Sequence, residues 1–216
     1  SNEKTFGRKM VINSKKRILI LSPHTDDAEL GCGGSIGKFI EEGNEILWCV
    51  FSTAEDSVPE GHPKDTLKQE FLDVCSKLKL KVTDYYIFNY VVRRLHESRQ
   101  EILEHLVKIR AEFRPNLVIG PSLNDHHQDH IVIANEMVRA FKSPSSIISY
   151  ELPWNHIIFS NQMFIKLNKA HILNKMELLN SYKSQVIKNR SYFSEEFIFG
   201  LAKTRGVQIN SDYAEA

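Results

Sequence analysis

Residues 18–34 read Ile18-Leu19-Ile20-Leu21-Ser22-Pro23-His24-Thr25-Asp26-Asp27-Ala28-Glu29-Leu30-Gly31-Cys32-Gly33-Gly34. The four leading aliphatic residues have the composition of a strand buried on both faces, and the polar run follows them directly. An imidazole and two carboxylates therefore stand at the end of a strand, where open α/β proteins place their active sites. His24 and Asp27 have a short reach to one ion, while Asp26, adjacent but directed elsewhere, stays free of it. This pattern fits metal-assisted hydrolysis.

Outward from this run, strand and helix patterns alternate. A strand over residues 17–22 leads to a helix over 29–42, with Leu30, Ile36, Phe39 and Ile40 apolar and Gly43 as its stop. Residues 45–52 form a second strand, and residues 53–62 a polar loop leaving the same sheet edge as His24. Pro63 can open the next helix, running to about residue 79 with Leu67, Phe71, Val74, Cys75 and Leu78 on one side. A third strand is expected over 84–89. Ser98 and Glu101 then have capping-box spacing ahead of Ile102, Leu103, Leu106 and Ile109. A short parallel strand at 117–120 precedes a helix through Ile131, Ala134, Met137, Val138 and Phe141. This rhythm predicts an α/β fold with a mostly parallel sheet covered on both faces.

After residue 146 the rhythm changes, with strands expected at 147–152 and 163–167 and helices at 169–188 and 194–204. We expect one catalytic domain over residues 17–216, with 146–216 forming part of the substrate cleft, and an arm over residues 1–16 outside the core.

The strand at 117–120 exits into a second polar cluster, Asn124-Asp125-His126-His127-Gln128-Asp129-His130. In a parallel sheet both clusters leave at carboxyl ends, so their separation along the chain costs nothing in space. Taking His24, Asp27 and His130 as ligands leaves positions for water, as catalytic zinc requires. These donors suit Zn²⁺, and Fe²⁺, Co²⁺ or Mn²⁺ fit the same set. Asp26 is then the general base, and His127 stabilises the oxyanion or protonates the leaving amine. Asp129 is expected to orient and charge His127. His126 flanks the site, His62, His96, His105 and His171 read as structural or exposed, and His156 is a candidate to line a pocket.

Other classes are disfavoured. A dinucleotide fingerprint would need glycine at position 36, where the chain has Ile36, so Gly31, Gly33 and Gly34 read instead as aids to a tight turn or close packing. With 28 Lys and Arg against 27 Asp and Glu, the net charge of +1 gives no bias toward nucleic acid or an anionic membrane. Cys32, Cys49 and Cys75 form no paired framework, and no apolar run approaches the roughly 20 residues of a membrane span. The expectation is a cytoplasmic protein with no nucleic-acid partner and no membrane insertion.

At its two clusters the sequence resembles the LmbE-like, or PIG-L, family of zinc-dependent N-acetylglucosamine deacetylases. The family's His-Pro-Asp-Asp motif with a Gly-rich helix start matches His24-Thr25-Asp26-Asp27 and Gly31 to Gly34, and its His-x-Asp-His motif matches His127-Gln128-Asp129-His130. The resemblance implies a Rossmann-like three-layer sandwich, with His24, Asp27 and His130 as metal ligands and Asp26 as the base. It also implies that His127 is the acid or oxyanion histidine, with Asp129 as its partner. Glu70, Tyr182-Lys183-Ser184-Gln185, Arg205-Gly206 and Ala214-Glu215-Ala216 extend it. Thr25 replaces the usual proline, which leaves the donors intact and alters loop stiffness. Related sequences continue with a Phe-Glu pair where this one stops, which implies a short further tail.

The substrate class comes from the resemblance: a small N-acetylated sugar-containing compound, namely a glycoside, nucleotide sugar or glycan intermediate. The alternatives are hydrolysis of another small amide or ester, and a sugar-binding protein without turnover. Arg205 either neutralises a substrate anion or braces its glycine turn. Trp154, Phe159, Tyr182, Tyr192 and Phe193 are read mostly as structural, and the loop at 53–63 as the specificity element. Assembly into a homo-oligomer stays open.

Overall fold

The computed structural model describes residues 15–216, so the expected arm falls almost wholly outside the described residues. Five parallel strands, β1 (Arg17–His24), β2 (Glu45–Ser52), β3 (Tyr85–Ile87), β4 (Leu117–Pro121) and β5 (Ser146–Tyr150), form a sheet in the order β3-β2-β1-β4-β5. The strand pattern of β1 explains its central place. Ile18 and Ile20 enter one core, Leu19 and Leu21 the other, and all four are fully buried. Each such side chain contributes about 1.5–3 kcal/mol through burial.

Helices cover both faces, giving three layers. The first core takes in α1 (Asp27–Glu41), α2 (Thr66–Lys77), α5 (Lys169–Leu179) and α7 (Glu195–Gln208). The second takes in α3 (Arg99–Phe113) and α4 (Gln128–Phe141). The chain builds β1, β2 and β3 outward in one direction, then crosses to β4 and β5 on the other side of β1. The carboxyl ends of β1 and β4 are therefore neighbours at the reversal of strand order, where a crevice opens. Among the described residues no helix is long and apolar enough to cross a membrane.

Several boundaries differ from the sequence reading. β1 extends to His24, and α1 starts at Asp27 because Asp26, at φ 75°, turns the chain directly into the helix. α2 begins at Thr66, three residues beyond Pro63. Ser98 precedes α3 but does not cap it with its side chain: Leu95–Ser98 already form a 3₁₀ turn, and Ser98 lacks the extended backbone a cap uses. The helical stretch expected over 169–188 divides into α5 and the short α6 (Lys183–Val186).

A second sheet pairs β6 (Ile165–Leu167) antiparallel with β7 (Tyr213–Glu215), a strand absent from the sequence reading. β7 carries Glu215 to a kink in α1 at Cys32, where φ is −146°. Glu215 accepts from the N–H groups of Gly34 and Ser35 at 3.0 and 2.7 Å, and Lys175 Nζ, 2.9 Å from Glu215, also donates to the Leu30 carbonyl at 2.7 Å. In a continuous helix the Gly34 N–H would donate to that same carbonyl. The buried ion pair thus replaces the bond the kink removes. A Cβ on Gly31 would stand 2.5 Å from the Tyr150 ring, so glycine there permits close approach to β5.

Candidate metal centre

β1 delivers His24 at its last residue, and the first turn of α1 delivers Asp27. The β4–α4 connection brings His127 as the N-cap of α4 and His130 in its first turn. His24 Nδ1 and His130 Nε2 each lie 3.2 Å from Asp27 Oδ2 and 3.3 Å from one another. Donors about 2.0–2.1 Å from a tetrahedral Zn²⁺ stand roughly 3.3 Å apart, so this near-equilateral triangle has the size of one tetrahedral face. A wider grouping of His24, His127 and His130 places ring nitrogens within 4.8 Å of one another. Asp27 makes the tighter set.

The outer nitrogens of the two ligand-candidate histidines are both engaged. His24 Nε2 lies 2.7 Å from Asp129 Oδ2, and His130 Nδ1 lies 2.7 Å from Asp125 Oδ2. In the neutral rings, carboxylates there hold the proton on the outer nitrogen and turn the lone pair of the inner one toward the triangle. Oxygen and nitrogen donors with this support fit a divalent cation.

Charge follows geometry. Burial pulls the His24 pKa down, yet its bonds to Asp129 and Asp27 prevail and push it up to about 9. Burial also opposes the charge of His130, but facing Asp27 and Asp125 raises it to about 10. Burial raises the Asp27 carboxyl, and the facing His130 and His24 overcome this and hold it well below the usual range. Asp26 goes the other way: burial, then the negative charges of Asp27 and Glu29, push it well above. Burial and the charges of His130 and His24 lower His127.

The Asp129 assignment needs correction. Its carboxylate does not reach His127; it accepts from His24, and from the N–H groups of Arg93 and Leu95 at 2.6 and 3.3 Å. Only its backbone contacts His127, donating to Nδ1 at 3.2 Å. The reason is local: the His127 ring folds over the first turn of α4 as its cap, while the Asp129 side chain points back toward β1. With Nδ1 accepting, neutral His127 carries its proton on Nε2.

Asp125 is the residue the sequence reading passed over. Besides holding His130, its Oδ1 accepts the His127 N–H at 2.8 Å. The signal was present, because two candidate ligand histidines call for two outer carboxylates and the second cluster contains two.

A cavity of about 340 Å³ opens over the triangle, lined by Asp26, His127, Arg93 and Trp154 among others. Ala54 and Ser57 of the loop at 53–63 also reach it, as do Gln185, Lys188, Arg190 and Tyr192. Trp154 and Tyr192, read as structural, stack at 4.0 Å and 11° on its wall. Tyr182 and Phe193 are buried in the core. Under Asp26, the Tyr182 hydroxyl donates to the fully buried Glu29, which burial raises to about 7. Glu70 accepts from the Ser184 N–H and hydroxyl at 2.8 and 2.7 Å and so anchors the 182–185 turn. Arg205 pairs with buried Glu151 and does not line the cavity. His126 is exposed, and His156 packs beside Phe159 outside the cavity.

The profile of the PIG-L family, described as GlcNAc-PI de-N-acetylase, matches residues 19–141 and so spans both clusters. The chain belongs to this family. Its members are enzymes that hydrolyse amide bonds, and the family is metal-dependent. The chain is 26% identical over 180 residues to the uncharacterized deacetylase YaiS of Escherichia coli (strain K12), covering 80% of this chain and 93% of that one. It superposes with a TM-score of 0.76 on N,N'-diacetylchitobiose deacetylase from Pyrococcus horikoshii, at 19% identity, covering 98% of this chain and 86% of that one. A 4-carboxy-2-hydroxymuconate hydratase from Pseudomonas putida KT2440 superposes with a TM-score of 0.71 at 18% identity, covering 93% and 94%. These two structures establish the fold; the hydratase shows that the fold carries more than one reaction, so the chemistry rests on the site.

Proposed function

We propose that this protein is a metal-dependent deacetylase that removes the acetyl group from a small N-acetylated amino sugar. The observation that carries this reading is the donor triangle of His24, Asp27 and His130, with Asp26 and His127 both free to face the cavity above it. A divalent cation held by those three residues, Zn²⁺ by donor type, supplies Lewis acidity toward water and the acetamide carbonyl.

The remaining steps fall to side chains of this chain. Asp26, made more basic by burial and by Asp27 and Glu29, takes a proton from the attacking water. His127 presents its Nε2 proton as a hydrogen bond to the carbonyl oxygen as charge develops there, and Asp26 passes the proton it took from water to the departing amine. Asp129 and Asp125 act as positioning residues that fix the rings of His24 and His130. The Trp154–Tyr192 stack offers a sugar ring an apolar wall, and residues 146–216 supply that side of the cleft.

Elemental analysis of wild type and of Asp27→Ala and His130→Ala tests the centre. The expected result is about one metal per chain, lost in both variants. Wild type without metal after reconstitution with zinc or ferrous iron would overturn the mechanism. Acetate release from a panel of N-acetyl sugars, compared with release of formate or alcohol from matched formamides and esters, tests the bond cleaved.

A further inference from the structure

The cavity has a second chemical end. Arg93, from the loop after β3, and Lys188 and Arg190, from the segment after α6, all line it. The last two lie outside the stretch that matches the family profile. Elsewhere in the molecule, arginines and lysines beside buried carboxylates are paired: Arg99 and Arg139 with Glu136, Arg205 with Glu151, Lys175 with Glu215. None of the three cavity cations forms an ion pair among the described residues. The negative charges that act on Lys188 are those of Asp26 and, more weakly, Glu70, which is already engaged by Ser184.

The side chains of Lys188 and Arg190 are held by groups other than acids, and Arg93 is held through its backbone. Arg190 donates to the Tyr192 hydroxyl and sits 5.7 Å from the centroid of that ring, which in turn stacks on Trp154. Lys188 Nζ donates to the Ser57 carbonyl at 3.3 Å, and its pKa is lowered by burial and by the nearby charge of Arg190. Arg93 sits in left-handed backbone at φ 67°, pinned by its N–H to Asp129 and by its carbonyl, which accepts from Gln128 at 2.7 Å. Bringing like charges together on one concave surface is unfavourable without an anion to share. Of the two carboxylates that line the cavity, Asp27 belongs to the donor triangle, and Asp26 acts on Arg190 and Lys188 through its charge without forming an ion pair with either, so three cations face one free carboxylate.

We propose that Arg93, Lys188 and Arg190 bind an anionic substituent of the substrate, a phosphate or a carboxylate carried beside the N-acetylated sugar ring; this rests on the deacetylase reading. The Trp154–Tyr192 stack lies on the cavity wall along with these cations. A cavity of about 340 Å³ is at the small end of ligand pockets, which favours one ring with a compact charged group over a long glycan.

Two measurements test this on the metal-loaded protein. Calorimetric binding of glucosamine 1-phosphate, of a glucosaminide with a carboxylate-bearing aglycone, and of methyl glucosaminide needs no turnover. Acetate release from the three matching N-acetyl compounds reads kcat/KM. Wild type should favour at least one anionic compound over the neutral one by roughly ten-fold or more, and which one it favours identifies phosphate or carboxylate. The preference should shrink as salt rises. In Lys188→Met/Arg190→Met the anionic-to-neutral ratio should fall toward one, while the charge-preserving Arg190→Lys retains part of it. Equal handling of neutral and anionic compounds by wild type, at low and high salt, overturns the inference, and acetate release then still upholds the deacetylase reading. Anion-selective binding without acetate release from any compound would uphold the anion site and sink the deacetylase reading instead.

Discussion

Replacing Asp125 tests the claim that the outer carboxylates set metal affinity. Its Oδ2 lies 2.7 Å from His130 Nδ1 and its Oδ1 accepts the His127 N–H at 2.8 Å, in a site where both Asp125 and His130 are buried. In Asp125→Ala the outer nitrogen of His130 loses its acceptor, and the ring is free to place its proton on the inner nitrogen, which removes a lone pair from the triangle. Asp125→Asn fails differently: an amide that keeps its oxygen on the His127 N–H turns an N–H donor toward His130 and forces the wrong tautomer. Loss of such a partner costs about 10–100-fold in metal affinity, or roughly 1.4–2.7 kcal/mol. Zinc affinity measured by competition with a chromophoric chelator should fall by that factor in both variants, with circular dichroism showing the fold retained. Binding within about two-fold of wild type in both would refute the reasoning, since neither variant can present the same hydrogen bond.

Three further outcomes follow from the same geometry. Asp26→Asn should lower kcat on whichever N-acetyl sugar is turned over by about 10²–10⁴-fold while zinc content is unchanged, and wild-type turnover in this variant would remove Asp26 as the base. In the metal-free protein His24 and His130 sit at about 9 and 10, both above their unfolded values, so their contribution to stability is complete below about pH 6.5. That contribution is lost as pH rises through 9 and 10: the melting temperature of chelator-treated protein should drop over this range, and zinc binding near pH 8 should release more than one proton by calorimetry in buffers of differing ionisation enthalpy. Glu215→Ala leaves Lys175 buried without its partner and should cost about 3–5 kcal/mol in urea unfolding, and a loss under about 1 kcal/mol would show that the pair does not brace the kink.

The parts of the fold legible in the sequence are those whose signals are local. β1, β2 and β4 are apolar runs ended by polar turns, and the chemistry at their exits is written within a few residues of each strand. What the sequence hid depends on where side chains point once a helix has started. Asp129 follows His127 by two residues, and the cap geometry of α4, invisible in spacing, sends its carboxylate to His24 instead. Trp154 and Tyr192 have the composition of core residues, and only the packing of the last third of the chain turns them toward the cavity.

The same limit explains why the C-terminal strand went unread although it bears on the site. Three residues, Tyr213–Glu215, carry no periodic signal, and the partners of Glu215 at Gly34 and Ser35 lie about 180 positions earlier. Yet α1 carries Asp27 at its first residue and breaks at Cys32, so the short segment bearing this proposed ligand is not held by the rest of its own helix. Lys175 holds the Leu30 carbonyl on one side of the break, and Glu215 holds the Gly34 and Ser35 N–H groups on the other. The position of Asp27 therefore depends on residues from the far end of the chain. Damage at Glu215 should loosen metal binding as well as the fold, although the carboxylate stands outside the donor set.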